Sequence, residues 1–194
     1  MGRNCHPCPR KSVGGGCQAV QQERNSWPSG KLSRDKVTSK LDYGNAVLFG
    51  INGRLLQKLQ RVQNSAARVI TQQRRRDHLH ITPVLIALHW LPVPWRITYT
   101  ILVLTFRALH NLAPEYIADM IVEYTPSRQF RSAGSRLLRV PRHNLEHYHR
   151  RGFSVTAPRL WNDLPDSLRH VDSLERFKSN LKTHLFKAAF INYL

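Results

Sequence analysis

Hydrophobic and polar positions divide the chain into a leader without period and a body with several. Over residues 1–36 apolar side chains are sparse, and Pro7, Pro9, Gly14-Gly15-Gly16 and Pro28-Ser29-Gly30 interrupt them. Such a segment buries too little apolar surface to offset its conformational entropy, which predicts disorder. From Val37 onward apolar residues recur. Leu41 to Phe49 predicts a short helix ended by Gly50 and Gly53. A longer helix is predicted over Arg54–Gln73, where Leu55, Leu59, Val62, Ala66 and Val69 follow steps of three and four and form one apolar stripe.

Further along, Thr82 to Leu88 predicts another helix, broken by Pro92 and Pro94. The stretch from Pro94 to Asn111 is apolar on nearly every face, with Ile97, Ile101, Leu102, Phe106 and Leu109 among its residues, and predicts a central buried helix. Pro114 opens a short helix through Val122. Arg136–Arg142 and Phe153–Thr156 alternate, imperfectly in the first case, and predict two short strands in a hairpin connected through Asn144–His149. Helical turns follow at Pro158 and Pro165. A last helix starts at Asp172, with Leu174, Phe177, Leu181, Leu185 and Ala188 on its apolar stripe and Glu175 at capping-box spacing from Asp172. The fold class is therefore mainly α, a helical-bundle-like domain of five or six helices around Ile97–Leu109 with a small β-hairpin near the C-terminus. The strings Leu88-His89-Trp90 and Leu109-His110-Asn111 look alike, but two similar strings are no repeat array.

Charge changes this picture more than composition does. The chain has 30 Lys+Arg against 12 Asp+Glu, a formal net charge of +18. That balance suits a binder of polyanions and speaks against a secreted enzyme or an acidic scaffold. Through Lys40 the chain holds 8 basic and 2 acidic residues. The helix Arg54–Gln73 carries Arg54, Lys58, Arg61 and Arg68 on a stripe of their own and runs into Arg74-Arg75-Arg76. Asp77 is the only acidic residue between Tyr43 and Pro114. Arginine forks hold phosphate oxygens, so this helix is the first candidate for tracking a nucleic-acid backbone. A second basic run contains Arg128, Arg131, Arg136, Arg139, Arg142, Arg150, Arg151 and Arg159, with Glu146 opposing it.

Candidate chemistry is thin. Cys5, Cys8 and Cys17 all lie in the leader, so the body reads as a reduced, intracellular protein, nuclear or cytoplasmic. Cys5-His6-x-Cys8 offers half a zinc site whose second half is missing, and no metal or cofactor is expected. His78 with His80, and His143 with His147 and His149, lack carboxylates spaced to complete a metal site. Asp119/Glu123 and Asp163/Asp166 read as surface or helix-start carboxylates. His89 and His110 read as packing histidines, and Trp90, Trp95 and Trp161 as packing anchors. Nothing matches a nucleophile–base–orienter set or a phosphate-binding glycine loop.

Eight strings in order carry a family resemblance. They are Val37-Thr-Ser-Lys-Leu-Asp-Tyr-Gly-Asn-Ala46, Leu59-Gln-Arg-Val-Gln-Asn-Ser-Ala-Ala-Arg68, Ile81-Thr-Pro-Val-Leu85, His89-Trp-Leu-Pro-Val93, Ala108-Leu-His-Asn-Leu-Ala-Pro114, Tyr124-Thr-Pro-Ser-Arg128, Phe153-Ser-Val-Thr-Ala-Pro-Arg-Leu-Trp-Asn-Asp-Leu-Pro165 and Phe177-Lys-Ser-Asn-Leu-Lys-Thr-His-Leu-Phe186. Residues 37–194 so resemble the segment that follows the polymerase core in LINE-type (non-LTR) retrotransposon reverse transcriptases, jockey-like RNA-directed DNA polymerases. Gly44 stands where the family usually has Cys, and the approach to Ile81 carries two additional residues near Leu79-His80. The family's catalytic Tyr-Ala-Asp-Asp string and its endonuclease domain are absent.

Residues 1–36, a disordered basic leader by composition, match no part of the family; the resemblance implies a thumb-like helical segment over 37–76 and a C-terminal helical segment with a β-hairpin over 77–194. It implies a catalytically incomplete fragment that is not itself an enzyme. Its partners would be RNA or DNA, held through phosphates, and the polymerase palm of the parent protein. Two other readings stand beside it: an inactive translated remnant of a broken mobile element, and a small metal-dependent nuclease using His78, His80, His143 and His147.

Overall fold

The computed structural model describes residues 34–72, 80–125, 136–141 and 151–191. The expectations for residues 1–33, among them Cys5, His6, Cys8 and Cys17, lie outside the described residues. So do those for Arg74, Arg75, Arg76, His78, Arg128, Arg131, Arg142, His143, His147, His149 and Arg150. The elements are α1 (Arg34–Asp42), a 3-10 turn (Asn45–Leu48), α2 (Gly53–Ile70), α3 (Ile81–Ala87), α4 (Val93–Leu109), α5 (Glu115–Ala118), α6 (Phe153–Asn162), α7 (Asp166–Arg169) and α8 (Leu174–Ala189). The mainly helical architecture agrees with the hydrophobic pattern.

Helix α4 is the hub, as its all-round apolar sequence predicts. Its flanks pack against α8, α6, the 3-10 turn and α2. Leu102 and Phe106 meet Trp161 of α6 and Phe177, Leu181 and Leu185 of α8 in one cluster. The rings of Phe106 and Phe177 stack with centroids 4.4 Å apart. Ile97 and Ile101 meet Ala157, with Leu48, Leu56, Leu59 and Phe153 packed around them. A third cluster joins Ala67 of α2 to Val84, Leu85 and Leu88 around α3, and to Trp90 and Phe190. Trp90 and Trp161 are buried and Trp95 is half-buried, so all three tryptophans serve as packing anchors.

The two similar Leu-His strings mark the ends of α3 and α4. At α3, His89 N donates to the Ile86 carbonyl and Trp90 N to the Leu85 carbonyl, each at 2.9 Å. At α4, Asn111 N donates to the Ala108 carbonyl and Leu112 N to the Arg107 carbonyl at 2.8 Å. Both are Schellman closures, which need a left-handed residue just past the helix. His89 (φ 53°) and Asn111 (φ 54°) supply it, one residue out of register between the two strings.

The expected hairpin is not formed among the described residues. Phe153–Thr156 is the first turn of α6, where Val155 N and Thr156 N both donate to the Gly152 carbonyl. Val155, Thr156, Ala157, Pro158 and Trp161 are buried along this helix, so the four-residue alternation was the start of a wide helical face. The segment Arg136–Arg142 does extend, over its described part, but against another partner. Leu138 forms an isolated antiparallel bridge with Glu123: Tyr124 N donates to the Leu137 carbonyl at 2.9 Å and Arg139 N to the Val122 carbonyl at 2.8 Å. On its other side Asn162 takes the place of a strand. Its Oδ1 accepts from Leu138 N at 2.9 Å and its Nδ2 donates to the Leu138 carbonyl at 2.8 Å. Trp161 Nε1 donates to the Arg136 carbonyl at 2.8 Å.

Candidate nucleic-acid interface

Helix α2 presents the larger basic surface, and its orientation is fixed by glutamine. Gln63 is fully buried, with 0% of its surface exposed. Its Nε2 donates to the Leu91 carbonyl at 2.7 Å. Gln60 Oε1 accepts from Val93 N at 2.9 Å, while Gln60 Nε2 donates to Gln63 Oε1 at 3.0 Å and Asn64 Oδ1 at 2.8 Å. Val93 opens α4, so its N–H has no acceptor within that helix. The glutamine pair thus joins α2 to the start of the hub helix and turns Leu56, Leu59, Ala67 and Ile70 toward the core.

That rotation leaves part of the expected apolar stripe outside. Leu55, Val62 and Val69 are 52%, 57% and 63% exposed, whereas Leu59 and Ala66 are half-buried at the shoulder of the core. The five share one stripe in the sequence, and the fold divides that stripe between the shoulder of the core and solvent. Two glutamines turn toward the core beside it, because they satisfy backbone groups that no apolar side chain can.

Beside the exposed apolar row runs the basic row. Arg54, Lys58 and Arg61 are exposed, and no carboxylate pairs with them among the described residues. Arg68 is half-buried and makes contacts of its own. The arrangement works against the helix. Arg54 lies next to the Asn52 cap, where Asn52 Oδ1 accepts from Arg54 N at 2.9 Å. A cation at this end opposes the helix dipole by roughly 0.3–1 kcal/mol at low ionic strength. Arg54/Lys58 and Lys58/Arg61 are like-charge neighbours four and three residues apart, each costing a further few tenths, about 0.2–0.5 kcal/mol. Helix stability alone therefore does not account for this placement.

The second basic run is divided. Arg136 is half-exposed and bound to Asp172, with both Nη1 and Nη2 donating to Oδ1 at 3.2 Å. It also holds a left-handed backbone (φ 45°). Arg151 is exposed, and its Nε donates to the Phe49 carbonyl at 3.2 Å. It packs over Gly50 (φ +67°), where an added Cβ would lie 2.9 Å from Arg151 Cγ. Arg139 is exposed. The structure thus keeps Arg54, Lys58 and Arg61 in one row and gives Arg136 and Arg151 bonding partners within the fold.

Two charged groups escaped the sequence reading. Arg96 makes a bidentate pair with Asp42, Nε to Oδ1 at 2.9 Å and Nη2 to Oδ2 at 3.0 Å, joining α4 to α1. Burial pushes the Asp42 carboxyl up and the Arg96 guanidinium down, and the attraction between them offsets each shift only in part. Arg169 is buried and donates from Nη2 to Asp166 Oδ1 at 3.2 Å, while its Nε and Nη1 have no hydrogen-bond partner among the described residues. The sequence spacing Asp166/Arg169 allowed the pair but not its burial.

Among the described residues no three of His, Cys, Asp and Glu lie together to hold a metal ion. His80 is exposed ahead of α3, and His110 stacks on Phe106 at 4.1 Å. Asp119, Glu123, Asp163 and Asp166 are all exposed. No helix among the described residues is long and apolar enough to cross a membrane. The chain matches no protein-family model, and neither a curated protein nor a solved structure is similar to it.

Proposed function

We propose that this chain is a catalytically incomplete piece of a LINE-type retrotransposon reverse transcriptase that binds RNA or DNA through backbone phosphates without sequence preference. The observation that carries the binding half is the row Arg54, Lys58 and Arg61, exposed on one helix and without a carboxylate partner among the described residues. From Arg54 to Arg61 the row rises about 10 Å at 1.5 Å per residue. A duplex strand advances about 3.4 Å per nucleotide along its axis, so the row spans roughly three nucleotides. Phosphate contacts position a protein on nucleic acid but carry no base information. The eight ordered strings support the family half, and the parent's palm would be the protein partner.

The test is fluorescence anisotropy with single-stranded RNA and duplex DNA across a salt series. Three phosphate contacts give a slope of log K against log salt near −2.7 on B-DNA, since each contributes about −0.9. Arg54→Ala/Lys58→Ala/Arg61→Ala should lower the magnitude of the slope by about 2.7, roughly 0.9 per contact, without changing preference among sequences. A folded wild-type sample that binds neither nucleic acid at low salt would overturn the reading, as would an unchanged slope in the triple variant.

A further inference from the structure

The exposed apolar residues of α2 have a spacing of their own. Leu55, Leu59, Val62, Ala66 and Val69 follow the steps four, three, four, three. Such a sequence is a heptad seam, the pattern by which one helix receives another. Leu55, Val62 and Val69 occupy one seam position, a full heptad apart, and are more than half exposed. Leu59 and Ala66 occupy the other and are half-buried. The seam is about 21 Å long, 14 residues at 1.5 Å each. One flank of the seam is closed by the core through Leu56 and buried Gln63. Its other flank is basic: Arg54 and Arg61 lie one residue before Leu55 and Val62, and Lys58 lies between them.

We infer that this face of α2 receives an amphipathic helix with an apolar seam and acidic flanking residues. The four–three spacing sets the occupant's secondary structure, because α2 offers apolar rows at heptad intervals and a helix meets them with its own a and d positions. The charge sets its chemistry. No acidic residue occurs anywhere in α2, so a second copy laid against it would bring cation to cation across the flank. An acidic helix neutralises the Arg54–Lys58–Arg61 row while it covers the aliphatic one. The inference shares the Arg54–Lys58–Arg61 row with the nucleic-acid reading but needs in addition the apolar row, which phosphates do not, so serine changes in that row separate the two.

The experiment uses the full chain and a labelled 21-residue peptide with leucine at its a and d positions and glutamate at the flanks. A matched peptide carries lysine at the flanks. The glutamate peptide should bind at low salt. Leu55→Ser/Val62→Ser/Val69→Ser should weaken it at least about tenfold, and the lysine peptide should bind at least about tenfold more weakly. The serine changes lie on the surface, and an unchanged thermal transition shows that the variant folds. The same variant should keep the wild-type salt slope for nucleic acid. Equal binding of the two peptides, no loss in the serine variant, or no binding of the glutamate peptide overturns the inference. So does a wild-type dimer in ultracentrifugation that the serine variant lacks, which assigns the seam to a second copy. Seam-dependent binding to phosphatidylserine vesicles without peptide binding assigns it to a lipid surface and overturns it equally.

Discussion

Each face of α2 mixes residue types that a helix usually keeps apart. Inward, the helix turns Gln60 and Gln63, which bond to backbone groups at Leu91 and Val93. Outward, it turns Leu55, Val62 and Val69 with an unpaired basic row beside them. A buried polar group is tolerated only when its hydrogen bonds are made, and here they are made to the entry of the hub helix. Backbone satisfaction places the two glutamines among the core-facing Leu56, Ala67 and Ile70, and Leu55, Val62 and Val69 lie toward solvent.

The largest expected effect lies inside. Gln63→Ala strips the Leu91 carbonyl of its donor, deprives Gln60 of its neighbour and opens a cavity. The expected loss is about 2–4 kcal/mol, combining an unsatisfied buried acceptor with lost packing. Val62→Ser, one residue away on the outer face, should change stability by no more than about 0.5 kcal/mol. Urea denaturation of both variants measures the contrast, and equal losses would mean that the two faces are not distinct.

The same device recurs at Asn162, so the inward-polar rule extends beyond α2. Its amide makes two bonds to Leu138, at 2.9 and 2.8 Å, and substitutes for a strand edge. Asn162→Ala should cost about 1–3 kcal/mol by leaving Leu138 N–H and C=O without that partner. Hydrogen exchange at the Leu138 amide should rise more than at the Phe106 amide inside α4. Uniform acceleration would deny the segment its dependence on Asn162.

These cases also show what the sequence could and could not disclose. The hub helix was legible because apolar residues surround it. α8 was legible because Phe177, Leu181 and Leu185 keep a helical period, and all three are buried. The orientation of α2 was not legible from hydrophobicity, because an amide that caps a distant backbone group looks like any surface glutamine. The hairpin failed for a related reason: the partner of Leu138 is a side chain, Asn162, together with the bridge to Glu123. Of the candidate interface, the basic row on α2 could be read from spacing. That Arg136 is occupied by Asp172, and Arg151 by the Phe49 carbonyl, depends on contacts across 36 and 102 residues.

On the outer face, neutralising the basic row should stabilise the free protein slightly. Arg54→Ala/Lys58→Ala/Arg61→Ala removes a cation from the positive end of the helix and two like-charge pairs. The expected gain is about 0.7–2 kcal/mol at low salt, summing small helix-dipole and pairwise terms. It should fade at high salt, where exposed charges are screened. A loss of stability instead would show that these cations hold the fold and remove the argument that a partner explains them.

The smallest effect tests whether burial or pairing governs the one bidentate ion pair beside α2. Asp42 is 45% exposed at its side chain, and its partner Arg96 is 12% exposed. Burial raises the carboxyl above its ordinary 3.8, and Arg96 only partly opposes the rise. The folded state therefore keeps a proton that the unfolded chain has already released in the window just above 3.8. Where the folded state binds more protons, stability falls as pH rises. The contribution of Asp42 is thus full below 3.8 and declines as pH climbs through the raised folded value. Because the group is partly solvated, the change stays under about 1 kcal/mol. Asp42→Asn has no such titration, so the stability of wild type relative to this variant should decrease as pH rises above 3.8. A dominant ion pair predicts the opposite slope, since pairing would depress the folded value and add stability on ionisation. Denaturation of both proteins across that range decides the sign.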